Sequence, residues 1–332
     1  MKKFIKLILN KISEYIPLIN NYYSGMATIF MLHRVDEIDK NKLFSNENMK
    51  VSPEFLESFI VEMKLKGYSF ISLDELYKNL KNNENIKKSI VFTLDDGYKD
   101  NYTKAYPIFK KHNIPFAIYI TTSFPEYKAI LWWYILEDLI LENDEIILKN
   151  NQIFKTKTKK AKEEVFLQIR DIIIDLPKEN FIDSLNKLFE NYKIDWFSKS
   201  KVLTMSWEDI IDISKDKLCT IAGHTKNHLA LNTLTKQEII EEIVEANNLI
   251  SSKINKSVEH FAYPFGSKNE VNQREFDIVK ELKFKTVTTT RHGTIYKEHK
   301  NFLDCCLPRI MLTENFDINT IGRIRKHRVV TL

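Results

Sequence analysis

A β-branched, apolar run, Ser89-Ile-Val-Phe-Thr-Leu94, stops at two adjacent carboxylates and a glycine, Asp95-Asp96-Gly97. Burying a strand and ending it in two carboxylates is costly unless something pairs with them. A metal ion is one candidate partner, and the rest of the chain must then supply its other ligands. A turn with a helix cap is the plain structural alternative.

The surrounding pattern restricts the fold. Ala27 to Leu32 is a short apolar run ending at His33-Arg34, and a loop is expected from Asp36 to Lys50. Ser52-Pro53 then reads as an N-cap and first helical position, with that helix stopped at Gly67. Tyr68 to Leu73 and Phe116 to Thr121 read as strands, with helices from Asp74 and over Thr103 to His112. The rhythm breaks over 127–202, where helix formers and lysines dominate. There the spacing predicts a hairpin around Asn150-Asn151 and helices over Lys160 to Ile174 and Lys178 to Tyr192. Alternation resumes with strands at Leu218 to Ala222, His260 to Tyr263, Thr286 to Thr290 and Cys306 to Ile310. The long helix between the first two opens with Thr235 and Glu238, a capping box.

Strands alternating with helices imply a mostly parallel sheet. The fold class is α/β: a distorted (β/α) barrel of seven or eight strands with a mainly helical central insertion. The expected organisation is an N-terminal amphipathic helix over 1–25, the barrel over 26–126 and 203–312, the insertion over 127–202, and a C-terminal tail over 313–332.

Charge and cysteine usage exclude some classes of partner. The 332 residues carry a formal charge of +5, with lysines interleaved among nearly as many acids, so no nucleic-acid surface is expected. Cys219, Cys305 and Cys306 make no disulfide framework, which fits a reducing, cytoplasmic location. Phe4, Ile5, Ile8, Leu9, Ile12, Ile16 and Ile19 fall on one helical face beside several lysines. That face either packs on the domain or lies peripherally on the inner surface of a membrane. Asn10 and Lys11 break the run, and no small-residue cleavage site follows, so a secretion signal is not expected. No stretch reaches the roughly 18 apolar residues of a transmembrane span.

In (β/α) barrels catalytic groups sit after the C-terminal ends of the strands. The polar residues falling there are His33, Asp95 with Asp96, His224, and Arg309. In His224-Thr-Lys-Asn-His228 the two imidazoles share a face if the segment is helical. With one carboxylate they would form a three-ligand set that leaves a coordination position open. Alone, each of these features is weak. His112, His260, His292, His299 and His327 are left as structural or solvent-exposed.

Together, Thr93-Leu-Asp-Asp-Gly97, His224-Thr-x-x-His228 and Ala262-Tyr-Pro-Phe-Gly266 resemble the polysaccharide deacetylase family, carbohydrate esterase family 4. The context Met31-Leu-His-Arg-Val35 and Leu307-Pro-Arg-Ile310 is similar to a branch found with bacterial surface-polysaccharide synthesis. The resemblance implies metal-dependent hydrolysis of the N-acetyl group of an amino sugar in a surface polysaccharide or its precursor. It implies one divalent ion, commonly Zn2+, on Asp96, His224 and His228, with Asp95 as general base and the backbone N–H of Phe265 as oxyanion donor. The arginine that usually opens the third motif is absent, and Arg309 is the candidate replacement. The usual C-terminal Leu-x-His is also missing, and His33 is the candidate acid. Tyr98, Tyr263 and Trp133 are expected to contact the sugar. The competing readings are an inactive glycan-binding scaffold and a glycosidase using Asp95 and Asp96. Against the latter, successive side chains of an extended segment point to opposite faces.

Overall fold

The computed structural model describes residues 25–177, 180–318 and 321, so the amphipathic face expected within 1–25 lies outside it except for Gly25. The strands, in chain order, are β1 (Ala27–Leu32), β2 (Arg34–Val35), β3 (Lys50–Val51), β4 (Ser69–Phe70), β5 (Ser89–Leu94) and β6 (Phe116–Ile120). They continue with β7 (Glu145–Leu148), β8 (Gln152–Lys155), β9 (Cys219–Gly223), β10 (His260–Ala262), β11 (Thr286–His292) and β12 (Leu307–Met311).

The main sheet runs β1-β12-β11-β10-β9-β6-β5-β4, and β1 also pairs with β5. Seven parallel strands therefore close into a barrel, with β4 attached outside the ring. Every residue of β1 and β5 is buried, as expected for strands packed on both faces. Their register sets Leu32 opposite Leu94, and the Asp95 amide donates to the Leu32 carbonyl at 2.9 Å. His33 and Asp95 thus leave the sheet side by side.

The helices clad the barrel. In α1 (Pro53–Leu65) the Ser52 side chain accepts from the Phe55 amide, and Leu56, Phe59, Ile60 and Met63 turn inward at helical spacing. Next, α2 (Leu73–Lys81) starts one residue earlier than the sequence suggests. Ser72 and Glu75 form a capping box there, so the strand expected over Tyr68 to Leu73 shrinks to Ser69–Phe70. The stretch Asp36 to Lys50 is not the plain loop expected, because it holds a helical turn, Phe44–Glu47, and its two ends are tied together by the flanking β2–β3 pair. After a π-turn over Asn101–Ala105 comes α3 (Tyr106–His112).

The insertion has its own apolar cluster, including Ile140, Ile146, Phe166, Ile169 and Trp196. It comprises α4 (Trp132–Glu142), the antiparallel β7–β8 hairpin, α5 (Lys159–Ile174) and α6 (Phe181–Leu188). The last is shorter than the helix expected to reach Tyr192. There the chain turns, so that the Tyr192 hydroxyl accepts from the Ile147 amide of β7 at 2.8 Å. Cladding resumes with α7 (Trp207–Ile213), α8 (Lys236–Ile254) and α9 (Gln273–Glu281).

The stretch expected as a tail is docked as far as it is described. Phe316, Ile318 and Ile321 pack on the main core, and Glu314 accepts from the Ser52 amide and hydroxyl, both at 2.8 Å. Among the described residues no helix is long and apolar enough to cross a membrane.

Candidate active site

The site forms where β1, β5, β9, β10 and β12 approach one another at the C-terminal end of the barrel. Asp95, buried to 1% exposure, receives a two-pronged contact from Arg309 on β12. Nη1 donates to Oδ1 at 2.6 Å and Nη2 to Oδ2 at 2.7 Å. Arg309 is itself fully buried, with Nε donating to the Thr289 carbonyl at 3.0 Å and Nη1 to Thr93 Oγ1 at 3.2 Å. Its guanidinium carbon lies 5.5 Å from the centre of the Tyr119 ring. Burial alone would raise the Asp95 pKa. The Arg309 charge, with His224 beside it, outweighs burial and holds the carboxylate below its ordinary range.

Asp96 faces the other way. Its Oδ1 lies 3.4 Å from His224 Nε2 and 3.3 Å from His228 Nε2. These separations exceed good hydrogen-bond lengths, and Oδ1 is a buried acceptor without a hydrogen-bond partner. They match the spacing of donors around a shared cation, since ligand atoms about 2.0–2.1 Å from a tetrahedral centre lie roughly 3.3–3.4 Å apart. His224 fits that role. Its Nδ1 lies 2.7 Å from the Ala262 carbonyl oxygen, a contact that places the proton on Nδ1 and leaves the Nε2 lone pair for the cluster. Asp96, His224 and His228 are the one group of potential metal ligands found among the described residues. Burial works to raise Asp96, but His228 and His224 overcome it and hold the group well below its ordinary range.

The local backbone is bent to make this convergence. Asp96 (φ 78°), Thr225 (φ 68°), His228 (φ 56°) and Phe265 (φ 60°) all sit in the left-handed region. That conformation is unfavourable for residues with a Cβ, most of all for the β-branched Thr225, and such strain collects at functional sites. The two imidazoles therefore meet through a turn, not along the helical face considered from sequence. Asp95 and Asp96 likewise leave an extended segment only because Asp96 turns; Gly97 follows at φ 92°. At Gly223 an added Cβ would fall 2.1 Å from Asn247 Oδ1, so any larger residue beside His224 would have to push the Asn247 amide aside.

Three residues outside the sequence expectations hold these parts in place. Glu242 on α8 accepts from the amides of Lys226 and Asn227, at 3.2 and 2.9 Å, and pins the His224–His228 turn. Asn101 donates to the His33 carbonyl at 2.9 Å, and Asp100 takes the Arg34 Nε–H at 2.6 Å. The His33-Arg34 pair at a strand end was the available signal for Asp100, because a buried arginine needs an acid. Nothing in the local sequence marked Glu242.

His33 lies within electrostatic reach of Asp96, Asp95, Arg309 and His224. Burial pushes its pKa below the ordinary histidine value, and its Nδ1 is buried without a partner. Phe265 is 39% exposed, its ring is centred 4.9 Å from that of His228, and among the described residues its amide donates to no acceptor.

The aromatic expectations divide. Trp133 is half-buried and lines a cleft beside His228. Tyr263 does not reach that surface: it is fully buried in a core cluster with Phe261 and Phe276, so no sugar can touch it. Tyr98 is buried as well, edge-on to Phe124 and Tyr134 with the Arg34 guanidinium carbon 5.2 Å from its ring centre. Both tyrosines belong to the packing because the strand ends preceding them turn their side chains inward.

A family model described as polysaccharide deacetylase matches residues 82–287. The match covers Asp95, Asp96, His224, His228 and Phe265 but neither His33 nor Arg309. No curated protein matches the chain. Among solved structures, the deacetylase PplD of Streptococcus pyogenes, in complex with acetate, superposes with a TM-score of 0.59 at 19% identity, over 89% of this chain and 96% of that one. A de-N-acetylase from Aggregatibacter actinomycetemcomitans gives 0.58 at 16% identity, over 89% and 98%. IcaB from Ammonifex degensii gives 0.56 at 14% identity, over 90% and 96%. At these identities the likeness establishes the fold.

Proposed function

The matched segment spans well over half of the chain, which therefore belongs to the polysaccharide deacetylase family, sugar N-deacetylases of the hydrolase class, and we propose that it removes the N-acetyl group of an amino sugar in a surface glycan with the help of one divalent ion. The observation that carries the reading is the division of labour between two neighbouring carboxylates. Asp95 is clamped by Arg309, while Asp96 converges with His224 and His228.

Asp96, His224 and His228 would hold the ion, with zinc as the assignment best suited to two imidazoles and one carboxylate. When bound, the ion supplies Lewis acidity, lowering the pKa of water and polarising the amide carbonyl. The remaining work falls to the chain. Asp95, kept ionised and oriented by Arg309, accepts the proton of the attacking water as its oxygen bonds to the carbonyl carbon. The Phe265 N–H is the donor proposed for the oxygen that gains charge. The C–N bond then breaks as the nitrogen takes a proton, which His33 is proposed to deliver. Acetate and a free amine are the products. The buried, unpartnered Nδ1 of His33 is an atom that bound substrate would complete.

Separate partners for Asp95 and Asp96 weigh against the glycosidase reading, in which both carboxylates would face one glycosidic bond. Three free, buried cysteines suit a cytoplasmic location. Peripheral membrane contact through the apolar face within 1–25 is part of the same proposal. The test is acetate release from N-acetylated sugars and their oligomers. Turnover should require a divalent ion, stop on chelation and return with added zinc. Turnover that survives full metal removal would refute the proposed metal dependence.

A further inference from the structure

A cleft of about 790 Å³ opens at His228 and Phe265 and runs outward between the barrel loops and the insertion. Leu229, Asn232 and Asn269 belong to its barrel wall. Trp132 and Trp133 from the start of α4, Ile174 from the end of α5, and Phe181 and Ile182 from the start of α6 face them. The space exceeds what a single pyranose fills, and it lies in the range of roughly 300–1,000 Å³ that encloses extended ligands. Aromatic and aliphatic faces beside amide and carboxylate groups suit the apolar faces and hydroxyl edges of sugar rings.

Charge narrows the occupant. Asp175, Asp183 and Glu270 line the cleft, and Lys128 is the one lysine or arginine among its described lining residues. Lys128 Nζ already contacts Glu126 at 3.1 Å. A nucleoside diphosphate or a phosphorylated lipid finds no cluster of cations among the described lining residues. A sugar ammonium finds carboxylates and aromatic faces.

We infer that Trp132, Phe181 and Ile182 are specificity determinants holding the glycan units that adjoin the one at the Asp96–His224–His228 cluster. The acidic edge favours a strand whose neighbouring units already carry free amines. The insertion is thus the second wall of an extended substrate cleft, and successive units of one strand can be deacetylated. This rests on the deacetylase reading, and the experiment separates the two.

The zinc-loaded full chain is given β-linked N-acetylglucosamine from monomer to tetramer, a tetramer with one amine already free, and uridine diphosphate N-acetylglucosamine. Acetate release measures kcat/KM, and quenching of tryptophan fluorescence measures binding without turnover. From monomer to tetramer kcat/KM should rise at least about tenfold, and Trp132→Ala or Ile182→Ala should each lower the tetramer value about tenfold. Ile182 is 37% exposed, so its truncation should spare the fold and leaves every tryptophan in place. The amine-bearing tetramer should match or exceed the fully acetylated one, with any advantage lost at high salt. A flat dependence on length, a clear preference for the nucleotide sugar, or a markedly poorer amine-bearing tetramer would overturn the inference. Length-dependent quenching without acetate release would leave the cleft assignment standing and remove the deacetylase reading.

Discussion

Replacing Arg309 by methionine keeps a long unbranched side chain but leaves the Asp95 carboxylate buried without its cation. The magnitude follows from the contacts. The carboxylate loses two charge-assisted hydrogen bonds, at 2.6 and 2.7 Å, inside a site where both partners are essentially inaccessible to water. Each such bond contributes roughly 1.5–3 kcal/mol. Stranding one member of a buried ion pair typically costs about 3–5 kcal/mol. Urea unfolding of the chelated protein should therefore show R309M destabilised by about 3–5 kcal/mol, with a lower midpoint and an unchanged slope. Asp95→Asn added to Arg309→Met removes the stranded charge, so the double variant should be more stable than R309M itself. Its cost should also fall well short of the sum of the two single costs. Turnover in R309M should drop by about 10²-fold or more, as expected when a general base loses its orientation. A destabilisation below about 1 kcal/mol, or strictly additive costs in the double variant, would refute the claim that Arg309 exists to hold Asp95.

Two further outcomes test other parts of the account. His33→Ala should lower kcat by about 10²–10⁴-fold while the metal content per chain stays constant; unchanged turnover at normal metal content would remove His33 as the acid. At the opposite end of the barrel, contact with His260 and then Lys285 holds Asp74 far below the ordinary carboxylate range, against the opposing effect of burial. A carboxylate with a depressed native pKa stabilises the fold above its unfolded pKa of about 3.9, and that contribution is lost as pH falls through the native value. Asp74 is 38% exposed, so Asp74→Asn should cost only about 0.5–1 kcal/mol at pH 7. Thermal midpoints compared at neutral and acid pH should show that gap shrinking below about pH 4, and a gap that widens in acid would contradict the assignment.

How much of this could be read from the chain depends on how local each signal was. Strand runs such as Ala27–Leu32 and capped helix starts at Ser52 and Thr235 depend on neighbouring residues, and the structure places them as expected. Arg309 was legible as a charged residue on the last strand, and the barrel closure that brings β12 beside β1 seats it against Asp95. The turn that joins His224 to His228 was not legible. Between the positive-φ residues Thr225 and His228, the amides of Lys226 and Asn227 are held by Glu242, sixteen and fifteen residues further along the chain, whose partners only the fold supplies. Tyr98 and Tyr263 misled because adjacency to a motif says nothing about which way a side chain turns once the strand has ended. Both point into packed aromatic clusters.

The most direct test of the central claim, that adjacent carboxylates carry different jobs, compares Asp95→Asn with Asp96→Asn by metal analysis and acetate release on the same preparations. The account predicts about one divalent ion per chain in Asp95→Asn with turnover reduced by at least about 10²-fold, and loss of both ion and turnover in Asp96→Asn. An Asp95→Asn protein that loses its metal, or an Asp96→Asn protein that keeps it, would contradict the division of roles.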